Sequence, residues 1–126
     1  MVTTDISQLT AECNTWRNNL RQYREEFTQS KHRLLDVASH QNAKNTLQDI
    51  EHYHNQFHIQ LINIHDVKQE IKEHERIAEW ELKSAKTLSD TVWAKHEELY
   101  DKYQTLDHTL TDLKEDFNRF LQKNGN

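Results

Sequence analysis

From residue 6 the chain places an apolar side chain at alternating steps of three and four: Ile6, Leu9, Cys13, Trp16, Leu20, Tyr23, Phe27, Ser30, Leu34 and Val37. Nine of these ten are apolar or aromatic, and such a stripe, held for more than four heptads, predicts a coiled-coil-like amphipathic helix over 5–37. Asp5 and Gln8 have the spacing of a capping box at its start. The periodicity stops in "ASHQNAKN", residues 38–45, which is small and polar. "TLQD" follows, where Thr46 and Asp49 fit a capping box, and a second helix is predicted over 46–82.

The second stripe is Leu47, Ile50, His54, Phe57, Leu61, Ile64, Lys68, Ile71, Glu75 and Ala78, and Tyr53 and Val67 widen it on one side. The register continues through Leu82 and Ala85, so one rod of the second and third segments, pairing as an antiparallel coiled-coil dimer, is an alternative. Against it, "KSAKTLSD" is the weakest apolar stretch, and "TLSD" (Thr87 to Asp90) repeats the capping pattern, which predicts a turn near 83–89. The third stripe, on a helix over 89–122, is Val92, His96, Leu99, Tyr103, Leu106, Leu110, Leu113, Phe117 and Phe120.

Three segments of similar length, each spanning roughly 50 Å at ~1.5 Å per residue and joined by short loops, predict an all-α, elongated antiparallel three-helix bundle. It forms one domain over 1–126, with 1–4 and 123–126 as frayed tails. The architecture is similar to that of spectrin-type repeats, including a Trp early in the first helix, but it shares no functional motif with them.

Composition narrows this further. Mean hydropathy is -1.07, which fits either disorder or long helices burying a narrow seam. The chain has no Pro, and its one Gly is Gly125, which favours uninterrupted helices. Net charge is -5 with acids and bases mixed throughout, so a nucleic-acid backbone is disfavoured as a partner. No apolar run approaches the ~20 residues needed to span a bilayer, so no membrane partner is expected. Cys13 is the one cysteine; it excludes an intrachain disulfide, suits a reducing cytoplasm, and falls on the apolar stripe as a small core residue.

The chemistry-bearing stretch is "EHYHNQFHIQLINIHDVKQEIKEHE", Glu51 to Glu75, with five of the nine histidines. Heptad positions put Glu51, His54, His58 and His65 on one flank of the second helix. Glu51-x-x-His54 has the spacing that di-iron bundles use, and His54 with His58, at i and i+4, can face one ion, so Zn or Fe is the alternative to no cofactor. A di-iron set needs a matching Glu-x-x-His elsewhere, and the chain has none. The competing reading makes these histidines boundary residues whose rings pack while a nitrogen reaches water.

If the second and third helices form a hairpin turning near residue 86, Glu75 lies level with His96, with His74 one step away. Glu75 and His96 are both seam residues and are expected to form a buried polar pair that fixes register. Lys68 on the seam calls for a carboxylate, with Asp101 or Glu12 near its level. Trp80 and Trp93 flank the turn and, with Ile77, are expected to form an apolar patch at one end of the bundle.

"IEHYHNQFHIQ", "VKQEIKEHE", "HEELYDKY" and "LKEDFNRFL" together resemble a family of small bacterial proteins of two to three long helices, over roughly residues 47–121. The matching positions are His54 to Phe57, His74-Glu75, His96 to Leu99, and Phe117 to Leu121. His54 departs from the Gln of that pattern, and His58 and His65 lie outside it, which argues against a family-wide metal site there. The resemblance implies a helical fold and no known activity.

The expected function is therefore a non-enzymatic helical protein-interaction or scaffold module that self-associates, most simply as a dimer. Its contact residues are sought among Trp16, Tyr23, Phe27, Phe57, Trp80, Trp93, Phe117 and Phe120. No Gly-rich phosphate loop or Cys–His or Ser–His constellation is legible that would suggest an enzyme. The alternative is a metal-binding bundle using Glu51, His54, His58 and His65.

Overall fold

The computed structural model describes residues 2–40 and 44–124. Three helices account for nearly all of them: α1 (Val2–Ser39), α2 (Lys44–Ala85) and α3 (Asp90–Asn124). They form a three-helix bundle. Residues that meet on α1 and α3 rise together in number, as in Asn19 with Tyr103 and Glu26 with Lys114, so these helices run parallel. Pairs such as Phe27 with Phe57 and His74 with His96 show that α2 runs antiparallel to both.

Helix extends beyond its predicted limits, because the missing Pro and Gly leave no stop signal there. α1 already begins at Val2 and α3 runs to Asn124, through most of the stretches expected to fray. The expected caps move accordingly. Asp5 lies inside α1, and Thr46 lies inside α2, which starts two residues earlier at Lys44. Part of the 38–45 connection, residues 41–43, lies outside the described residues, as does Gly125.

The second turn falls where predicted and rules out the single rod: α2 and α3 are separate helices. Lys86 enters the left-handed region at φ 67°, and its N–H donates to the Leu82 carbonyl at 2.9 Å, closing the end of α2 with an αL cap. The N-cap of α3 is Ser89 rather than Thr87, because Asp90 is the first helical residue and the residue before it is the one that can reach the third amide. The Ser89 hydroxyl accepts from the Val92 N–H at 3.3 Å. Glu81 of α2 then ties the cap down, accepting from the Ser89 hydroxyl at 3.1 Å and from its backbone N–H.

The seams of α1 and α3 are buried as read. All nine α3 positions are buried, and on α1 Leu9, Cys13, Trp16, Leu20, Phe27, Leu34 and Val37 are buried, with Ile6 and Tyr23 packed against them. On α2 half of the seam moves by one residue. Phe57, Ile64, Ile71 and Ala78 are buried as expected, but the alternating row that joins them contains Gln60 and His74, with Tyr53 and Val67 packed at its edge. The row expected there is displaced: His54 is exposed, and Leu61, Lys68 and Glu75 are half-buried. A helix wedged between two neighbours buries a wider arc than a two-stranded seam, so either flanking row can face inward.

Candidate functional site

The one-residue shift on α2 rearranges the expected polar pairs. His74 enters the core and Glu75 stays at its edge. Glu75 Oε1 forms an ion pair with Arg17 Nε at 2.8 Å, not with His96. His96 instead donates from Nε2 to Glu12 Oε1 at 2.7 Å. The carboxylate can only accept, so Nε2 carries the proton of this bond, and in the neutral ring Nδ1 is the acceptor. His74 Nε2 lies 3.1 Å from this Nδ1 and supplies the proton between them, while Cys13 Sγ lies 4.0 Å from it.

A polar node from all three helices therefore sits at the α2–α3 turn end: Cys13 from α1, His74 from α2 and His96 from α3. All three residues are buried. Aromatic rings wall it in. Trp16 stacks on His96 with centroids 4.9 Å apart, and Trp93 meets the same ring edge-on at 5.7 Å. Burial pushes the Cys13 thiol up to about 12, with the Glu75 charge adding to the effect. Burial likewise pulls His74 down to about 4, reinforced by His96 and Lys95, so at neutral pH its ring is uncharged. Glu12 is held below the ordinary carboxylate range by its bond from His96.

Glu51, His54, His58 and His65 all stand exposed on the outer side of α2. Among the described residues, the side chains that bring three ligand atoms within 4.8 Å of one another are Cys13, His74 and His96 instead. Lys68 has no ion-pair partner among the described residues. Neither Asp101 nor Glu12 reaches it. Partial burial lowers its pKa first, and Arg24, Arg21, Lys72 and Arg17 lower it further, because it borders a basic groove shared by α1 and α2.

The aromatic contact candidates divide. Trp16, Phe27, Phe57, Phe117 and Phe120 are buried in the bundle's own core, and Tyr23 packs against it while donating to Asp107 at 2.8 Å. Trp93 is half-buried and packs against the core. Trp80 is 67% exposed. With it on the outward side of α2 stand Ile59, Ile62 and Ile77, exposed by 46%, 48% and 46%. Ile59 and Ile77, like Ile62 and Trp80, are 18 residues apart, which is five helical turns, so all four lie on one stripe.

The sequence reading missed Cys13 and His74 as partners of His96. The available signal was weak: a Cys on the first seam and a His one step from the level assigned to Glu75. Comparison with family models, with curated proteins and with solved structures gives no match. Among the described residues no helix is long and apolar enough to cross a membrane.

Proposed function

We propose that the chain is a non-enzymatic helical interaction module whose first partner is a second copy of itself, docked through the outward stripe of α2. The observation that supports this is the spacing of the four exposed apolar residues. A two-fold axis near Gln69 and Glu70 brings Ile59 of one copy against Trp80 of the other, and Ile62 against Ile77. Each contact is made twice, as an isologous interface requires. Such an arrangement aligns two antiparallel α2 helices over about 30 Å.

Around Gln69, the charged residues nearest the axis are acidic. Glu70 is already paired with Lys95 and Lys102, and Glu73 with Arg76. Asp66 has no such cation among the described residues and would face Glu73 of the second copy. The dimer is accordingly expected to tighten as salt screens this repulsion, and again in Asp66→Asn.

Sedimentation equilibrium on tag-free protein over a concentration series tests the reading. A monomer–dimer equilibrium is expected, with Trp80→Ala and Ile62→Glu each shifting it at least tenfold toward monomer while the helical spectrum is unchanged. A monomer at every attainable concentration, or a dimer indifferent to both substitutions, would overturn it.

A further inference from the structure

The buried node brings two imidazoles and a thiol together from three different helices. Packing alone would favour hydrophobic side chains at three seam positions that meet in the middle of a bundle, since polar groups cost free energy when they leave water. Their ligand atoms lie close to the corners of a coordination polyhedron. A tetrahedral ion with ~2.0–2.1 Å bonds to nitrogen and ~2.3 Å to sulfur holds its nitrogens about 3.3 Å apart and sulfur and nitrogen about 3.6 Å apart. His74 Nε2 and His96 Nδ1 are 3.1 Å apart, and Cys13 Sγ is 4.0 Å from His96 Nδ1. All three ligand atoms lie within 4.8 Å of one another, so the thiol has to move inward for an ion to meet all three.

The surroundings favour a cation. Glu12 accepts from the far nitrogen of His96, which is how a carboxylate orients a metal-bound imidazole and raises its basicity. The carboxylates of Glu12 and Glu75 set a negative potential at Cys13 that opposes a bare thiolate and would favour an adjacent dication, while Arg17 partly offsets them. His74 is uncharged at neutral pH, so moving its one proton from Nε2 to Nδ1 frees the Nε2 lone pair for an ion. Glu12 itself has a 43% exposed side chain, so the node lies one residue below the surface.

We propose that Cys13, His74 and His96 bind one tetrahedral divalent ion of the zinc class, oriented by Glu12, with the fourth position left to water. The ion ties all three helices together at the α2–α3 turn end. Binding releases the thiol proton to solvent, and the proton between the two rings moves to His74 Nδ1, so that both rings ligate as neutral imidazoles. The proposal does not depend on the dimer, because the node faces inward and the stripe of α2 faces outward.

The test titrates Zn(II), and separately Co(II), into tag-free, chelator-stripped chain. One equivalent of zinc is expected to bind with proton release, and cobalt is expected to show a thiolate charge-transfer band. Cys13→Ala is expected to abolish that band, and His74→Ala to abolish stoichiometric binding. Either variant could lose its fold, so Glu12→Gln, near the surface, carries the same question: it should weaken binding about 10–100-fold with the helical spectrum intact. His54→Ala with His58→Ala should leave binding unchanged. The proposal fails if zinc does not bind stoichiometrically, if cobalt binds without the thiolate band, or if the His54/His58 variant removes the metal.

Discussion

The two ends of this bundle have the same helical frame and opposite cores. At the end where α1 turns into α2, the interior is aromatic. Phe57 meets Phe117 edge-on at 4.9 Å and Phe27 at 5.3 Å, and Tyr53 packs on Phe120 at 5.0 Å. About 17 residues along α2, at the other end, the equivalent layer is His74, His96 and Cys13 with Trp16 beside them. The first layer is held by apolar burial and ring packing, which are insensitive to pH and salt. The second is held by hydrogen bonds among titratable groups, which depend on protonation. One fold thus carries a layer that only stabilises and a layer whose stability can be set from outside.

The comparison is broken most severely at the aromatic end. Phe57 is fully buried. Phe57→Ala should cost about 3–5 kcal/mol in denaturant unfolding, with little dependence on pH. A loss below about 1 kcal/mol would mean that the aromatic layer is not the main anchor.

The polar end should respond to acid. His74 is neutral in the fold down to about pH 4, whereas the unfolded chain protonates it near its ordinary value of 6.5. Between those values the unfolded state binds the extra proton, so stability rises with pH there. The contribution is complete above about pH 6.5 and is lost as pH falls toward 4, amounting to about 2–3 kcal/mol. Unfolding followed at several pH values should show that slope in the native chain and a flatter one in His74→Leu, whereas Phe57→Ala keeps it. An unchanged slope in His74→Leu would assign the acid sensitivity to other groups.

The smallest effect belongs to the turn that closes the polar end. Ser89→Ala removes the α3 cap and the hydroxyl's bond to Glu81, and should cost about 1 kcal/mol. Amide exchange should then quicken in the first turn of α3 and not at the aromatic end. A uniform change along the chain would show that the two ends do not open separately.

How far these features were legible depends on how many rows of side chains could satisfy the same pattern. On α1 and α3 one row is strongly apolar, and the burial follows it residue by residue. On α2 two rows flank the shared column of Phe57, Ile64 and Ile71. One holds His54, Leu61, Lys68 and Glu75; the other holds Tyr53, Gln60, Val67 and His74. Both mix polar with apolar residues, so periodicity could not choose between them. The choice depends on how α2 sits between two neighbours, which is a tertiary quantity. Because His74 and Glu75 are adjacent, this error of one position placed the wrong residue beside His96. The node escaped for a further reason: Cys13, His74 and His96 lie far apart in sequence, and nothing local marks a seam Cys as a partner of distant histidines.

The parallel course of α1 and α3 has a mechanical consequence. With three helices the chain enters at one end of the bundle and leaves at the opposite one, whereas an even number would return it to its starting point. Anything joined before α1 and after α3 is therefore held apart by the length of the rod, roughly 50 Å at ~1.5 Å per residue. Copies fused end to end would extend in line, each adding one such length, and a pull on the two ends would load the helices along their axes.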